Sequence, residues 1–419
     1  MELEILIEWA KGSEERYAFQ GERLVLVKRD RPPPVNYGFV PDLINPADGE
    51  EVDAVLLGRP LPPGSRAKGK LLGLLHLEDG DHKLVLGNRL EEVEELMEWF
   101  PPGRAPRLLG AEAARAFLAE RLQERDKYLG ALLGLAVGDA LGAQVEGLAP
   151  GSFPKLRGMK GGGPHALRAG EWTDDTAMAL LLAESLLEKG FDPLDQMHRY
   201  LRWYQEGYPS PRGYAFGVGE TTRKSLLAFA QTQEPFSGPP EGAGNGGLVR
   251  LAPLAMAYAK RLELLEYARL STRTTHGHPA ALDSSLVLAW LIAEALQGAP
   301  KEALLAMEPL RTLHLHPDVA EVVGGSFLKR AEAKGYAPRT LEASLYAFAH
   351  TLSFAEGMEL AVNLGEDADS VGAVYGQLAG AFYGKEKIPR AWLQPLYLRE
   401  RIEALALGLY RMSMASPKE

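Results

Sequence analysis

The segment Glu171-Trp-Thr-Asp-Asp-Thr176 sets a hydroxyl and two consecutive carboxylates ahead of a mostly apolar run, Ala177 to Leu187. Far downstream, Glu366-Asp-Ala-Asp-Ser370 repeats the chemistry in a Gly-rich stretch holding Gly365, Gly372, Gly376 and Gly380. Carboxylate and hydroxyl oxygens are hard ligands. Two such patches brought together suit Mg²⁺ or Mn²⁺ rather than zinc, which favours nitrogen and sulfur. The plainer reading of the first patch is helix capping, because Thr and Asp oxygens accept from the free N–H groups that open a helix. A cap needs one oxygen, so the second patch tips the reading toward metal ligation.

These side chains need elements to carry them. Gly130, Gly134, Gly138 and Gly142 recur every fourth residue on what reads as a helix, Tyr128 to Ala143. Each costs roughly 1 kcal/mol against Ala in a helix interior, so the row implies a close backbone neighbour or a site. Asp139 and Glu146 lie seven residues apart and share a face if that helix continues; a solvated pair is the competing reading. Two Gly-rich loops, Arg212 to Gly219 and Gly242 to Gly247, each precede a helix and could offer backbone N–H groups to a diphosphate. His276, His278, His314 and His316 are zinc-type residues, but pairs without a third and fourth ligand are more often structural.

Composition narrows the class. The 419 residues are 46% hydrophobic and 24% charged, with a net charge of −10 and no Cys. That is ordinary for a globular chain, long enough for two or more domains. An acidic chain without a basic field argues against nucleic acid. The absence of Cys excludes disulfides and thiolate sites. Acids near Met1, where a signal peptide has bases, and an apolar run Leu129 to Val137 too short to span a bilayer predict a cytoplasmic protein without a membrane partner.

Residues 1 to about 90 alternate short β-like runs with turns: Leu3–Ile7, Arg23–Val27, Val52–Leu57, Leu71–Leu75 and Lys83–Leu86. Helices are expected over Glu91–Phe100 and Ala111–Arg125. From Asp126 onward the pattern is helical throughout, including Thr176–Lys189, Leu194–Tyr204, Thr221–Ala230, Leu251–Leu270, Pro279–Gln297, Leu341–Thr351 and Tyr375–Tyr383. The boundary falls near Arg125, giving domains 1–125 and 126–419.

In order, Gly134-Leu-Ala-Val-Gly-Asp-Ala-Leu-Gly142 with Glu146, Trp172-Thr-Asp-Asp-Thr176, Gly244-Asn-Gly-Gly-Leu-Val-Arg-Leu-Ala-Pro253, Thr275-His276 and Asn363-Leu-Gly-Glu-Asp-Ala-Asp-Ser-Val-Gly372 resemble the motifs of the ADP-ribosylglycohydrolase family. The resemblance covers about residues 126–390. It implies an all-α orthogonal bundle with two divalent cations, Mg²⁺ or Mn²⁺. Thr173, Asp174 and Asp175 would be ligands from one side, and Asp367, Asp369 and Ser370 from the other; the family usually has Thr at 370 and Met at 249. Glu146, Asp174 and Asp367 are the implied catalytic groups. Gly217, Gly219, Gly244, Asn245, Gly246 and His276 would bind substrate.

Asn36-Tyr-Gly-Phe-Val-Pro41, Asp48-Gly-Glu-Glu-Val-Asp53, Pro62-Pro-Gly-Ser65 and Asp79 to Lys83 resemble family I inorganic pyrophosphatase, a small β-barrel with helices. Arg31, Tyr37, Asp48, Asp53, Asp79, Asp81 and Lys83 match its phosphate and metal site. Ala18 stands where the family has a carboxylate and Pro33 where it has an active-site Tyr, so the resemblance is to a degenerate member. The expected architecture is therefore multidomain, a pyrophosphatase-like α+β barrel followed by the helical bundle.

The function implied is hydrolysis of the glycosidic bond at the ribose anomeric carbon of an ADP-ribosylated protein or an ADP-ribose-containing small molecule. The leaving group stays open. The alternatives are a non-catalytic ADP-ribose-binding protein and a pyrophosphatase with a helical accessory domain. The N-terminal domain also leaves room for a homo-oligomer.

Overall fold

The computed structural model describes residues 1–21, 23–90 and 93–415. By contacts the chain divides into Met1–Arg125, joined by the last residues from Met414, and Asp126–Ser413. In the first unit, strands β1 (Glu2–Trp9), β2 (Glu15–Gln20), β3 (Arg23–Arg29), β4 (Asn36–Ile44), β5 (Glu51–Leu56), β6 (Arg66–His76), β7 (Lys83–Gly87) and β8 (Arg107–Gly110) precede or flank helix α1 (Val93–Trp99). The sheet order β1-β4-β5-β7-β6 closes through a β1–β6 pairing, giving a five-stranded barrel with β8 added on β6. β5 and β7 run parallel and the other barrel pairs antiparallel. β2 and β3 form a separate hairpin.

Alternation along the strands fills two cores. Val52, Ala54, Leu56, Leu84 and Leu86 face one, and Val55 and Val85 face the other beside Val93 and Leu96 of α1. In β1, Ile7 and Trp9 have the same parity yet lie in different cores. A register shift between them explains it, because a bulge turns the strand over. The predicted strands all appear; four are longer than their apolar runs, and β5 is shifted by one residue from Val52–Leu57. β2, β4 and β8 were missed, since their pattern is mixed. The expected helix start at Glu91 lies outside the described residues; α1 is described from Val93.

The acids resembling a pyrophosphatase site are held by fixed cations. Lys83, 1% exposed, pairs with Asp53 at 2.5 Å and also with Asp81. Arg104 pairs with Asp79 at 2.6 Å and Asp81 at 2.8 Å, and Tyr37 donates to Asp53 at 3.2 Å. Two of the matched residues serve elsewhere. Asp48 accepts the Glu50 N–H in a turn, and Arg31 lines a surface pocket with Lys11, Pro33 and Trp99.

The remaining helices are α2 (Ala111–Gly142), α3 (Asp174–Lys189), α4 (Pro193–Glu206), α5 (Glu220–Thr232), α6 (Gly246–Val249), α7 (Ala252–Ala257), α8 (Leu264–Arg273), α9 (Pro279–Leu296), α10 (Lys301–Ala306), α11 (Pro317–Val323), α12 (Ala337–Ala349), α13 (Phe354–Val362), α14 (Ala368–Tyr383), α15 (Arg390–Leu393) and α16 (Arg399–Met414). The two helices expected over 111–143 are one, α2, unbroken through Arg125. The single helix expected over Leu251–Leu270 is two. The apolar spacing matches one helix, but the chain turns at 258–263 so that α7 and α8 both pack on α9. α9 is long and apolar enough to cross a membrane by composition, and most of it is buried in the bundle.

The glycine row on α2 meets a second row on α14. A methyl on Gly130, Gly134, Gly138 or Gly142 would fall on the carbonyl oxygen of Gly380, Gly376, Gly372 or Ala368 respectively. The descending order makes the helices antiparallel, and their backbones touch without side chains between them.

Two predictions follow from these contacts. Gly138→Ala must force α2 from α14 and is expected to cost about 2–3 kcal/mol, a Tm fall of roughly 5–10 °C. Gly158→Ala, where a methyl meets nothing within 4 Å, is the neutral control; equal Tm values for the two variants would refute the close-packing account. Lys83→Met should destabilise the barrel by about 2–3 kcal/mol, below the cost of breaking a fully buried pair, because Asp53 and Asp81 keep 26% and 23% of their side chains exposed. An unchanged unfolding midpoint in urea would show that Lys83 does not hold these acids.

Candidate active site

The first acidic segment forms the opening turn of α3, but its own side chains do not cap it. Thr173 stands at the N-cap position without a capping bond. The cap comes from Asp139, buried in the last turn of α2. Its carboxylate accepts from the Thr173 N–H at 3.0 Å, the Thr173 hydroxyl at 2.9 Å, the Thr176 N–H at 3.0 Å and the Thr176 hydroxyl at 2.6 Å. One carboxylate on the glycine-lined helix therefore seats the whole turn and leaves Asp174 and Asp175 free to point elsewhere.

The second acidic segment opens α14, whose first residues lie against Gly142 at the end of α2. Asp367 accepts from the Asn245 amide at 2.6 Å, and Asn245 also donates to Thr340 at 2.9 Å. Glu146 is not on the α2 helix. The helix ends at Gly142 and Glu146 sits in the turn beyond. Two backbone bonds of 2.7 Å, Gly147 N–H to Glu366 O and Glu366 N–H to Leu148 O, tie that turn to the second acidic segment.

These pieces enclose one cavity of ≈ 280 Å³. Its walls include Glu146, Asp174, Asp175, Asp367, Asp369 and Ser370 together with Gly217, Gly219, Gly244, Asn245, Gly246 and His276. Such a volume is near the lower end of small-molecule pockets, ~300–1,000 Å³. Gly217 has φ +74°, and a methyl there would strike the Asp174 carboxylate, so the 212–219 loop passes directly over that acid. Thr173 is the one matched residue of the helical domain not among the cavity walls; its hydroxyl hydrogen goes to Asp139.

Packing acids together away from water raises their proton affinity. Burial pushes Asp174 up to about 8, with the Asp139 charge next. Asp175 and Asp369 are driven well above the carboxylate range, by burial first and by neighbouring acids second. Burial lifts Asp139 to about 6, against the pull of its four donors. Glu146 is raised by burial and by Asp367, and lowered by His165.

Among the described residues no three acidic or histidine side chains already stand as a closed ligand cluster. The donor set nonetheless fits a hard cation. Asp175 Oδ2, Asp369 Oδ1 and Glu146 Oε2 are buried oxygens without a hydrogen-bond partner. Buried acceptors are normally satisfied, so such oxygens need a proton or a cation.

Three contributors escaped sequence reasoning or were given no role by it. Asp139 was noticed, but its capping function depends on a distant segment. His165 Nε2 lies 3.2 Å from Glu146 Oε2, close enough for an ion pair although the angle is poor for a hydrogen bond. Its loop is shaped by Gly163, where a methyl would strike Ala143 O, and is held by Arg212, which donates to His165 O at 3.1 Å and to Ala166 O. Arg250, 1% exposed, sits behind the cavity over the Tyr200 ring at 4.8 Å. Two of the other zinc-type histidines open helices: His278 accepts the Ala280 N–H and His316 the Asp318 N–H.

Residues 120–418 match the family model described as ADP-ribosylglycohydrolase, and residues 5–87 match inorganic pyrophosphatase. The chain is 37% identical over 317 residues to "ADP-ribosylarginine hydrolase Tri1" of Pseudomonas putida (strain GB-1), covering 74% of this chain and 84% of the relative. It is 34% identical over 297 residues to "ADP-ribosyl-[dinitrogen reductase] glycohydrolase" of Rhodospirillum rubrum, covering 67% and 95%. A solved structure titled "ADP-ribosylglycohydrolase-related protein complex" matches with a TM-score of 0.65 and 60% identity, over 70% of this chain and 99% of that one. With the motifs gathered around one acidic cavity and the match spanning most of the chain, this protein belongs to the ADP-ribosylglycohydrolase family and is a hydrolase of ADP-ribosyl bonds.

Proposed function

We propose that the chain cleaves the glycosidic bond at the ribose anomeric carbon of ADP-ribosylated arginine, using two Mg²⁺ or Mn²⁺ ions. The observation that carries this reading is the convergence of both acidic turns on one cavity, with buried unpartnered oxygens on Asp175 and Asp369. The arginine leaving group is drawn from the named activity of the Pseudomonas relative. Asp174, Asp175 and Thr173 would hold the cations from α3, and Asp367, Asp369 and Ser370 from α14. Bound there, such ions supply Lewis acidity toward ribose hydroxyls and a water.

The chain's own groups do the rest. Asp139 fixes the α3 turn and Asn245 fixes Asp367, so the acids are oriented before substrate arrives. Cleavage develops positive charge on the ribose, which the surrounding carboxylates stabilise. Glu146, with its proton affinity raised, is the group to take a proton from water or return one to the leaving nitrogen. His165 holds that carboxylate against the cavity wall. Gly217 and Gly219, before the start of α5, and Gly244 to Gly246 present backbone to the diphosphate. The N-terminal unit adds no second catalytic centre in this reading, because Lys83 and Arg104 already neutralise its acids.

Purified protein with Mg²⁺ or Mn²⁺ should release ADP-ribose from ADP-ribosyl-arginine faster than from ADP-ribosyl-serine or O-acetyl-ADP-ribose. No turnover of any of the three with either metal would sink the proposal. Saturating metal should raise Tm by roughly 5–10 °C. Asp369→Asn should remove that rise, lift the metal-free Tm, and lower kcat/KM at least ~100-fold; a variant that keeps the metal-induced rise disproves the ligand role.

His165→Ala should reduce kcat about tenfold, through loss of the imidazole that stands 3.2 Å from the Glu146 carboxylate. His165→Asn should recover part of it, with KM nearly constant in both. A change confined to KM would assign His165 to substrate binding instead.

A further inference from the structure

Arg250, Thr275 and His276 form a chain that ends at the cavity. Arg250 Nη2 donates to Thr275 Oγ1 at 2.8 Å, and Thr275 Oγ1 lies 2.9 Å from His276 Nδ1. A guanidinium has only donors, so the Thr275 oxygen must accept from it. Thr275 is fully buried, and the acceptor on its other side is the imidazole nitrogen. Its single hydroxyl hydrogen is satisfied by donating to Nδ1. Nδ1 must then be bare, and in a neutral ring the proton resides on Nε2.

The ring is held neutral. Burial pulls its pKa down to about 3, with the Arg250 charge adding to the effect. It is 3% exposed, and its Nε2 has no hydrogen-bond partner among the described residues. That edge faces the Gly-rich loop. A methyl on Gly246 would stand 2.6 Å from Cε1 and 3.1 Å from Nε2, and one on Gly244 3.2 Å from Nε2. The glycines therefore make room for the ring edge where His276 borders the cavity. Nε2 opens onto the cavity, where an oxygen of a bound molecule can accept from it.

We propose that Arg250 and Thr275 are positioning residues that lock His276 as the Nε2–H tautomer, so that it donates one hydrogen bond to an oxygen of ADP-ribose. The ligand half of this inference rests on the function proposed above; the tautomer half does not. The ring discriminates by geometry and by donor character rather than by charge. An acceptor oxygen fits, whereas a donor at the same place meets a second donor. His276 thereby reads one particular oxygen of the bound molecule.

The test is ring ¹⁵N NMR of the full chain labelled at histidine, with His276 assigned from its absence in His276→Gln. At pH 7 the wild type should show a bare Nδ1 and a protonated Nε2. A protonated Nδ1 overturns the relay whatever the enzyme does. Thr275→Val should release the ring to a mixture of tautomers and weaken ADP-ribose binding about tenfold, and Thr275→Ser should restore both. A valine variant with the wild-type ring pattern also overturns it.

Titration with ADP-ribose should shift the Nε2–H proton. Binding without that shift rejects the donor role. A shift with ADP as well assigns the bond to the ADP part of the molecule, and a shift with ADP-ribose alone assigns it to the distal ribose. Failure of the wild type to bind ADP-ribose refutes the functional reading and the ligand half together, while the tautomer is judged by the ring spectrum alone.

Discussion

Everything at the site depends on how closely α2 and α14 approach. Glycine opposite glycine lets the backbones meet, and this brings the end of α2 beside the first turn of α14. Asp139 on α2 then reaches across to cap α3. Both acidic turns are thus referred to one rigid feature, and their separation is set by backbone contact rather than by flexible side chains. A methyl in that interface would not merely loosen packing. It would move one half of the site away from the other.

The price of this arrangement is electrostatic. Asp139, Asp174, Asp175, Asp367 and Asp369 are brought out of water together, and burial raises the proton affinity of each. Four donors satisfy the oxygens of Asp139, which suits a structural carboxylate. Asp175 and Asp369 keep unpartnered oxygens, which suits groups held ready for a cation. The buried Arg250 charge sits behind them, felt through space by Asp175 and Asp174, and its hydrogen bonds run to Thr274, Thr275 and the Ser271 carbonyl. The N-terminal barrel shows the opposite solution. Its acids carry their own counter-ions in Lys83 and Arg104.

The division into a β-rich region and a helical region was legible because period-two and period-3.6 patterns depend on local residue order. So were the acidic motifs, the glycine row and the Gly-rich loops. What went unread depended on contacts between distant segments. The helix at Leu251–Leu270 breaks because both halves pack on α9. The capping reading of Thr173 and Asp174 failed because the cap is supplied from Asp139, more than thirty residues earlier in the chain. The face shared by Asp139 and Glu146 does not exist, since the helix stops between them at Gly142.

The sequence by itself determined which chemistry is present: hard oxygen ligands, glycines where backbones or ligands come close, and no thiols. Those are properties of residue type and spacing. Tertiary structure decided which carboxylate would be structural and which would face the cavity, for Asp139 and Asp175 are the same residue in different company. It also decided that His165 stands beside Glu146 and that Thr275 turns the His276 proton toward the cavity. A side chain's proton affinity and hydrogen-bond role are set by its neighbours, and in a folded chain most of those neighbours are remote in sequence.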